Sequence, residues 1–230
     1  MAKVFRMKLI EYPTRDGMMA KVAETLADAL RAALAQRDKV SLAVPGGTTP
    51  GPVFDALCEA PLDWSRVHVL LSDERWVPET DAQSNAALIR ARLMTGPAAA
   101  ASFTPYFTAD SDIDTAARDL SGQLSPLLPL DVLLLGMGAD MHTASLFPGA
   151  DGLEAAMSDD AQMFLPITVP NQETRRFTLT APALRNAKAT HLLITGDDKR
   201  AALDRARMLP AHQAPVQTVL DNATIHWSAI

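Results

Sequence analysis

Short apolar runs alternate with longer amphipathic stretches along almost the whole chain. The runs at 39–44, 67–71, 132–135 and 191–195 are too short for helices and nearly free of polar residues. That is the pattern of strands buried on both faces. Residues 3–11 alternate apolar and polar and read as an edge strand. Residues 16–35 carry Met19, Val22, Leu26 and Leu30 near helical period, which predicts a long helix. Further helices are predicted over 51–60, 85–93, 116–124 and 199–208, and further strands over 164–169 and 177–180. The tail, 218–230, reads as a last strand, and 98–101, behind Gly96-Pro97, as a loop. Strands separated by helices imply parallel pairing through right-handed crossovers. With no internal repeat and no clear boundary, the expectation is an α/β fold: one doubly wound domain over residues 1–230.

Composition adds exclusions. The chain has 230 residues, 48% of them hydrophobic and 21% charged, the balance of a globular protein. Its net charge of −6, without a long basic run, argues against a nucleic-acid surface. An anionic ligand would therefore need a locally positive pocket. One cysteine, Cys58, cannot form an internal disulfide and suits a reducing compartment. No stretch approaches the roughly 18 apolar residues of a membrane span, and the N-terminus lacks the features of a signal peptide. The cytoplasm is the expected location.

Four strand ends carry candidate chemistry. After 39–44 comes Val44-Pro-Gly-Gly-Thr-Thr-Pro-Gly51, where Gly46 and Gly47 can expose successive N–H groups. Thr48 or Thr49 can cap the next helix, so the segment is an anion-site candidate or merely a tight turn. After 67–71 comes Ser72-Asp-Glu-Arg75. Arg75 offers a fork for an anion or a developing oxyanion, and its charge would keep the adjacent Asp73 ionised. Ser84 and Asn85 could orient this loop or cap the helix behind it. The stretch 131–149, DVLLLGMGADMHTASLFPG, breaks its strand at Gly136 and Gly138 and delivers Asp140, His142, Thr143 and Ser145. In open α/β sheets ligands bind outside the carboxyl ends of the strands, and a neutral imidazole there can take a proton from water. Asp140 could orient that ring. The fourth signal is a cationic pair, Arg175-Arg176 just ahead of the strand at 177–180 and Lys199 behind the strand-ending Gly196; either could equally be a solvated surface charge. The histidines at 68, 142, 191, 212 and 226 show no metal-ligand spacing, so no metal is expected.

Taken together, PGGTTP, SDERWVPETDAQSN, LLGMGADMHTASLFPG, RRFTLT and GDDK resemble the 6-phosphogluconolactonase family over nearly the full length, in order and spacing. The resemblance implies a Rossmann-like, mainly parallel sheet flanked by helices, like that of glucosamine-6-phosphate deaminase and ribose-5-phosphate isomerase. It implies hydrolysis of a phosphorylated sugar lactone without a cofactor, by a monomer or small homo-oligomer with no nucleic-acid or membrane partner. His142, Asp73 and Arg75 match catalytic positions, and Gly46, Gly47, Thr48, Arg176 and Lys199 match positions around the sugar phosphate. Pro45 replaces a usual serine, and Met141 a usual glycine; if that glycine holds a positive φ, methionine is strained there. Deaminases resemble Phe-Asn-Glu-Pro after the histidine, where this chain has Ser145-Leu-Phe-Pro148, so an isomerase or deaminase ranks lower. A non-catalytic sugar-phosphate sensor would need a DNA-binding module, which residues 1–40 do not suggest.

Overall fold

The structure, a computed structural model, describes residues 7–230. Seven strands form a parallel sheet: β1 (Lys8–Glu11), β2 (Val40–Val44), β3 (Val67–Leu71), β5 (Ser102–Phe103), β6 (Val132–Gly136), β9 (Ala189–Thr195) and β10 (Ala223–Ser228). Their order is β1-β10-β9-β6-β2-β3-β5. β2 is buried at all five positions and β6 at four of five, which explains why they read as unbroken apolar runs. From β2 the chain steps one way to β3 and β5, and afterwards the other way to β6, β9 and β10. The β2–β6 junction is thus the point where the winding reverses, the favoured ligand crevice of this architecture.

Helix α1 (Arg15–Leu34) starts where the Thr14 hydroxyl accepts the Gly17 N–H, and it buries Met18, Met19, Val22, Leu26 and Leu30. Each large side chain so buried contributes about 1.5–3 kcal/mol. The other helices are α2 (Gly51–Leu57), α3 (Asn85–Arg92), α4 (Ile113–Leu124), α5 (Leu153–Met157), α6 (Ala181–Arg185), α7 (Asp197–Ala206) and α8 (Gln217–Leu220). Among the described residues, none is long and apolar enough to cross a membrane. At the amino end of β6, buried Asp131 accepts from Arg37, Lys188 and the Ser41 N–H. Burial pushes its carboxyl up, but those bonds outweigh it and hold the group below its usual range.

The doubly wound, Rossmann-like expectation holds, with differences in detail. Residues 3–6 of the expected edge strand lie outside the described residues. The strands expected at 164–169 and 177–180 are β7 (Phe164–Ile167) and β8 (Arg176–Leu179). They join β4 (Asp73–Arg75) in a separate antiparallel sheet ordered β4-β8-β7. Ser72 links the two sheets: its N–H donates to Val44 and its carbonyl accepts from Leu179. Residues 96–100 wind into a 3-10 turn instead of a loop, and α8 precedes β10 within the expected last strand.

Candidate active site

Four neighbouring strands of the sheet, β9-β6-β2-β3, bring their carboxyl ends together. The loops they release line a cleft of about 230 Å³. From the sequence candidates it collects Gly46, Gly47, Asp73, Arg75, Asn85, His142, Arg176 and Lys199. Thr48 does not join them: it is exposed, and Thr49 lines the cleft instead. Neither threonine side chain caps α2, whose entry residue is Pro50. Ser84 is buried outside the lining, where it caps α3 and donates to Glu74.

The loop after β6 aims the imidazole. Gly138 N–H donates to the His142 carbonyl and Met141 N–H to the Gly138 carbonyl, closing a tight turn. The ring lies so close to Gly138 that a Cβ there would fall 2.3 Å from His142 Nδ1. Only glycine fits. Met141 takes φ 67°, the left-handed conformation the sequence pointed to, and Ala144 follows at φ 48°. The Met141 carbonyl accepts from Val216 N–H, and its side chain packs against the core. Nδ1 of His142 lies 2.5 Å from Asp140 Oδ1. A carboxylate there accepts Nδ1–H and leaves Nε2 with its lone pair free. That bond to His142, opposed by partial burial, holds the Asp140 carboxyl below its usual range.

The second wall comes from β4 and β8. Strand alternation puts Asp73 and Arg75 on one face and Glu74 on the other. Buried Glu74 accepts the N–H groups of Arg75, Asn85 and Ala86 and so holds the start of α3 against β4. Burial nevertheless raises its carboxyl above the usual value. Asn85 works as a clamp: its amide donates to the Asp73 carbonyl while its Oδ1 accepts from Arg75 Nη1 at 3.0 Å. Gly46 lies flat on Asn85, since a Cβ would sit 1.8 Å from Oδ1.

The expected pairing of Asp73 with Arg75 is not made. Arg75 turns to Asn85 and the Gln83 carbonyl, and its Nε is buried without a hydrogen-bond partner among the described residues. Asp73 instead accepts from Ser72 Oγ at 2.9 Å and Ser145 Oγ at 2.6 Å, with Arg176 Nη1 at 3.9 Å. Adjacency in sequence was a poor guide, because β8 supplies a better placed cation from across the sheet. Burial lowers the Arg176 guanidinium from its usual value; Asp73 opposes the shift and the charge of Arg75 adds to it. An anion between the two guanidiniums would relieve that repulsion. Lys199, in the first turn of α7, makes no hydrogen bond or ion pair among the described residues. Three cations thus face the cleft of a chain whose net charge is −6.

Ser145, named from the sequence only as a polar group near His142, bridges Asp73 and Arg176. One contributor was not singled out. Phe147 stacks on His142 with ring centroids 3.9 Å apart and an interplanar angle of 19°. It read only as part of a motif.

An imidazole with a free nitrogen, ringed by cations at the winding switch of a parallel α/β sheet, defines an enzyme-like site for a small anionic molecule. A family model described as glucosamine-6-phosphate isomerases/6-phosphogluconolactonase matches residues 13–227, and the chain belongs to that family. A 6-phosphogluconolactonase of Pseudomonas aeruginosa is 43% identical over 90% of this chain and 88% of its own. One of Mesorhizobium japonicum is 42% identical over 92% and 90%. The crystal structure of a 6-phosphogluconolactonase from Shewanella baltica superposes with a TM-score of 0.92 at 31% identity, covering both chains completely.

Proposed function

We propose that this chain is a single α/β domain that hydrolyses 6-phospho-D-glucono-1,5-lactone to 6-phospho-D-gluconate. Family membership and the names of the relatives support the reaction class. The observation that carries the mechanism is the imidazole of His142, held at Nδ1 by Asp140 and free at Nε2 inside a cationic cleft. Nε2 takes a proton from water as the water oxygen bonds to the lactone C1. The carbonyl electrons move to its oxygen, and Arg75, which lines the cleft, is assigned as the donor for that oxyanion. Collapse of the tetrahedral intermediate breaks the bond from C1 to the ring oxygen, which takes the proton back from the imidazolium. The open acid leaves as its carboxylate. Asp73, buried against Ser145, faces Arg176 with its opposite charge, while Arg176 and Lys199, with the Gly46-Gly47 loop, are assigned to the phosphate.

The test is lactone consumption near neutral pH, measured above spontaneous ring opening. His142→Ala should lower kcat by about 10²–10⁴-fold, the range of general-base assistance, with KM largely kept. A fully active variant would sink the assignment.

A further inference from the structure

Phe147 stands behind the cleft lining and takes no part in any step of this reaction, yet two groups the reaction does use rest on it. Its ring lies parallel to His142 at 3.9 Å, while the Arg176 guanidinium sits 5.1 Å from its centroid. The backbone brings it there by a strained route. Ala144 turns through φ 48°, Leu146 N–H closes back on the Thr143 carbonyl, and Ala150 N–H grips the Phe147 carbonyl. His142 is otherwise held at one edge by Asp140 and against the backbone of Gly138. Those contacts fix an edge of the ring, and Phe147 is the aromatic group that covers a face of it. Arg176 is held by Gln172, whose Oε1 accepts from Nε and Nη2, but it reaches Asp73 only at 3.9 Å.

We propose, on the footing of the reaction above, that Phe147 is a positioning residue that sets the aim of His142 and Arg176 together. A flat ring suits both tasks. Its face stacks on a neutral imidazole, attracts the imidazolium formed during the reaction, and attracts a guanidinium by the same quadrupole. An aliphatic side chain of equal volume fills the space without those preferences.

The experiment compares Phe147→Leu and Phe147→Tyr with the parent enzyme. Phe147→Leu is expected to lower kcat about tenfold to a hundredfold, the cost of a small misplacement of a catalytic group, and to raise KM severalfold through Arg176. Phe147→Tyr, which keeps the ring, should recover most of both. In an Arg176→Ala background, Phe147→Leu should still lower kcat but no longer raise KM. A second readout needs no turnover. The ring-current shift of the His142 Cε1 proton, identified by its loss in His142→Ala, should vanish in Phe147→Leu and persist in Phe147→Tyr. If Phe147→Leu does not fold, Phe147→Met takes its place in every arm. Parent-like kinetics in Phe147→Leu, or an unmoved Cε1 proton, would overturn the positioning role while leaving His142 as base. A fully active His142→Ala would instead remove the reading on which it rests.

Discussion

At the scale of single residues, Met141 carries the conformational cost of aiming the cleft. Its φ of 67° is open to glycine, tolerable for an unbranched side chain and costly for a β-branched one. Met141→Gly should therefore keep kcat within a few-fold. Met141→Ile should lose about 1–3 kcal/mol of stability and lower kcat, since His142 is the next residue. Denaturant titration and initial rates check this, and equal behaviour of the two variants would refute it. Lys199 is the opposite case, an unengaged charge. Lys199→Ala should leave stability unchanged and raise KM by about ten- to a hundredfold, the worth of one charged hydrogen bond, with kcat little altered. An unchanged KM would remove Lys199 from the phosphate. Legibility at this scale followed reach. His142 and Lys199 could be read because they follow strand ends that open on the cleft, and Arg176 because its motif marked it. The choice of Thr49 over Thr48, and of Arg176 over Arg75 as cation for Asp73, depends on partners far along the chain.

At the scale of elements, long periodic or wholly apolar segments were legible and short ones were not. α1 and the buried strands β2, β3, β6 and β9 stood out because burial dictates every position or every turn. β4 has three residues and α5 and α6 five each, too few for a period to emerge. They exist because neighbours hold them, as β8 pairs with β4. One edge of the main sheet also holds a chain of titratable groups that runs from half-buried Tyr12 to the buried His226 and His191. Tyr12 hydroxyl lies 2.8 Å from His226 Nδ1, and His226 Nε2 lies 3.1 Å from His191 Nδ1, joining the end of β1 to β10 and β9. Burial pushes both imidazoles down to about 4, and the charges of His191 and then Lys8 add to the shift at His226. Their unfolded value is near 6.5. The stability this pair contributes is therefore fully present above about pH 6.5 and is lost as pH falls toward 4, the two imidazoles titrating as a coupled pair. Unfolding free energy measured from pH 7 to 4.5 should fall accordingly, and less steeply in His226→Gln. A flat profile for the parent would contradict this.

At the scale of the molecule, the cleft exists only because the winding reverses between β2 and β6. Gly46, Arg75, His142 and Lys199 come from segments behind four different strands, spread over most of the chain, and no continuous segment contains a working subset of them. Catalysis is consequently a report on cooperativity. A partly ordered form that kept half the sheet would hold ligand-binding loops without the imidazole, or the imidazole without its cations. In a urea titration, loss of lactonase activity should coincide with loss of the far-ultraviolet signal of the sheet, as a two-state transition requires. Activity that disappears at lower urea would instead identify one of the four strand ends as a separately melting unit. The reversal that makes room for a ligand also makes turnover an assay for completed folding.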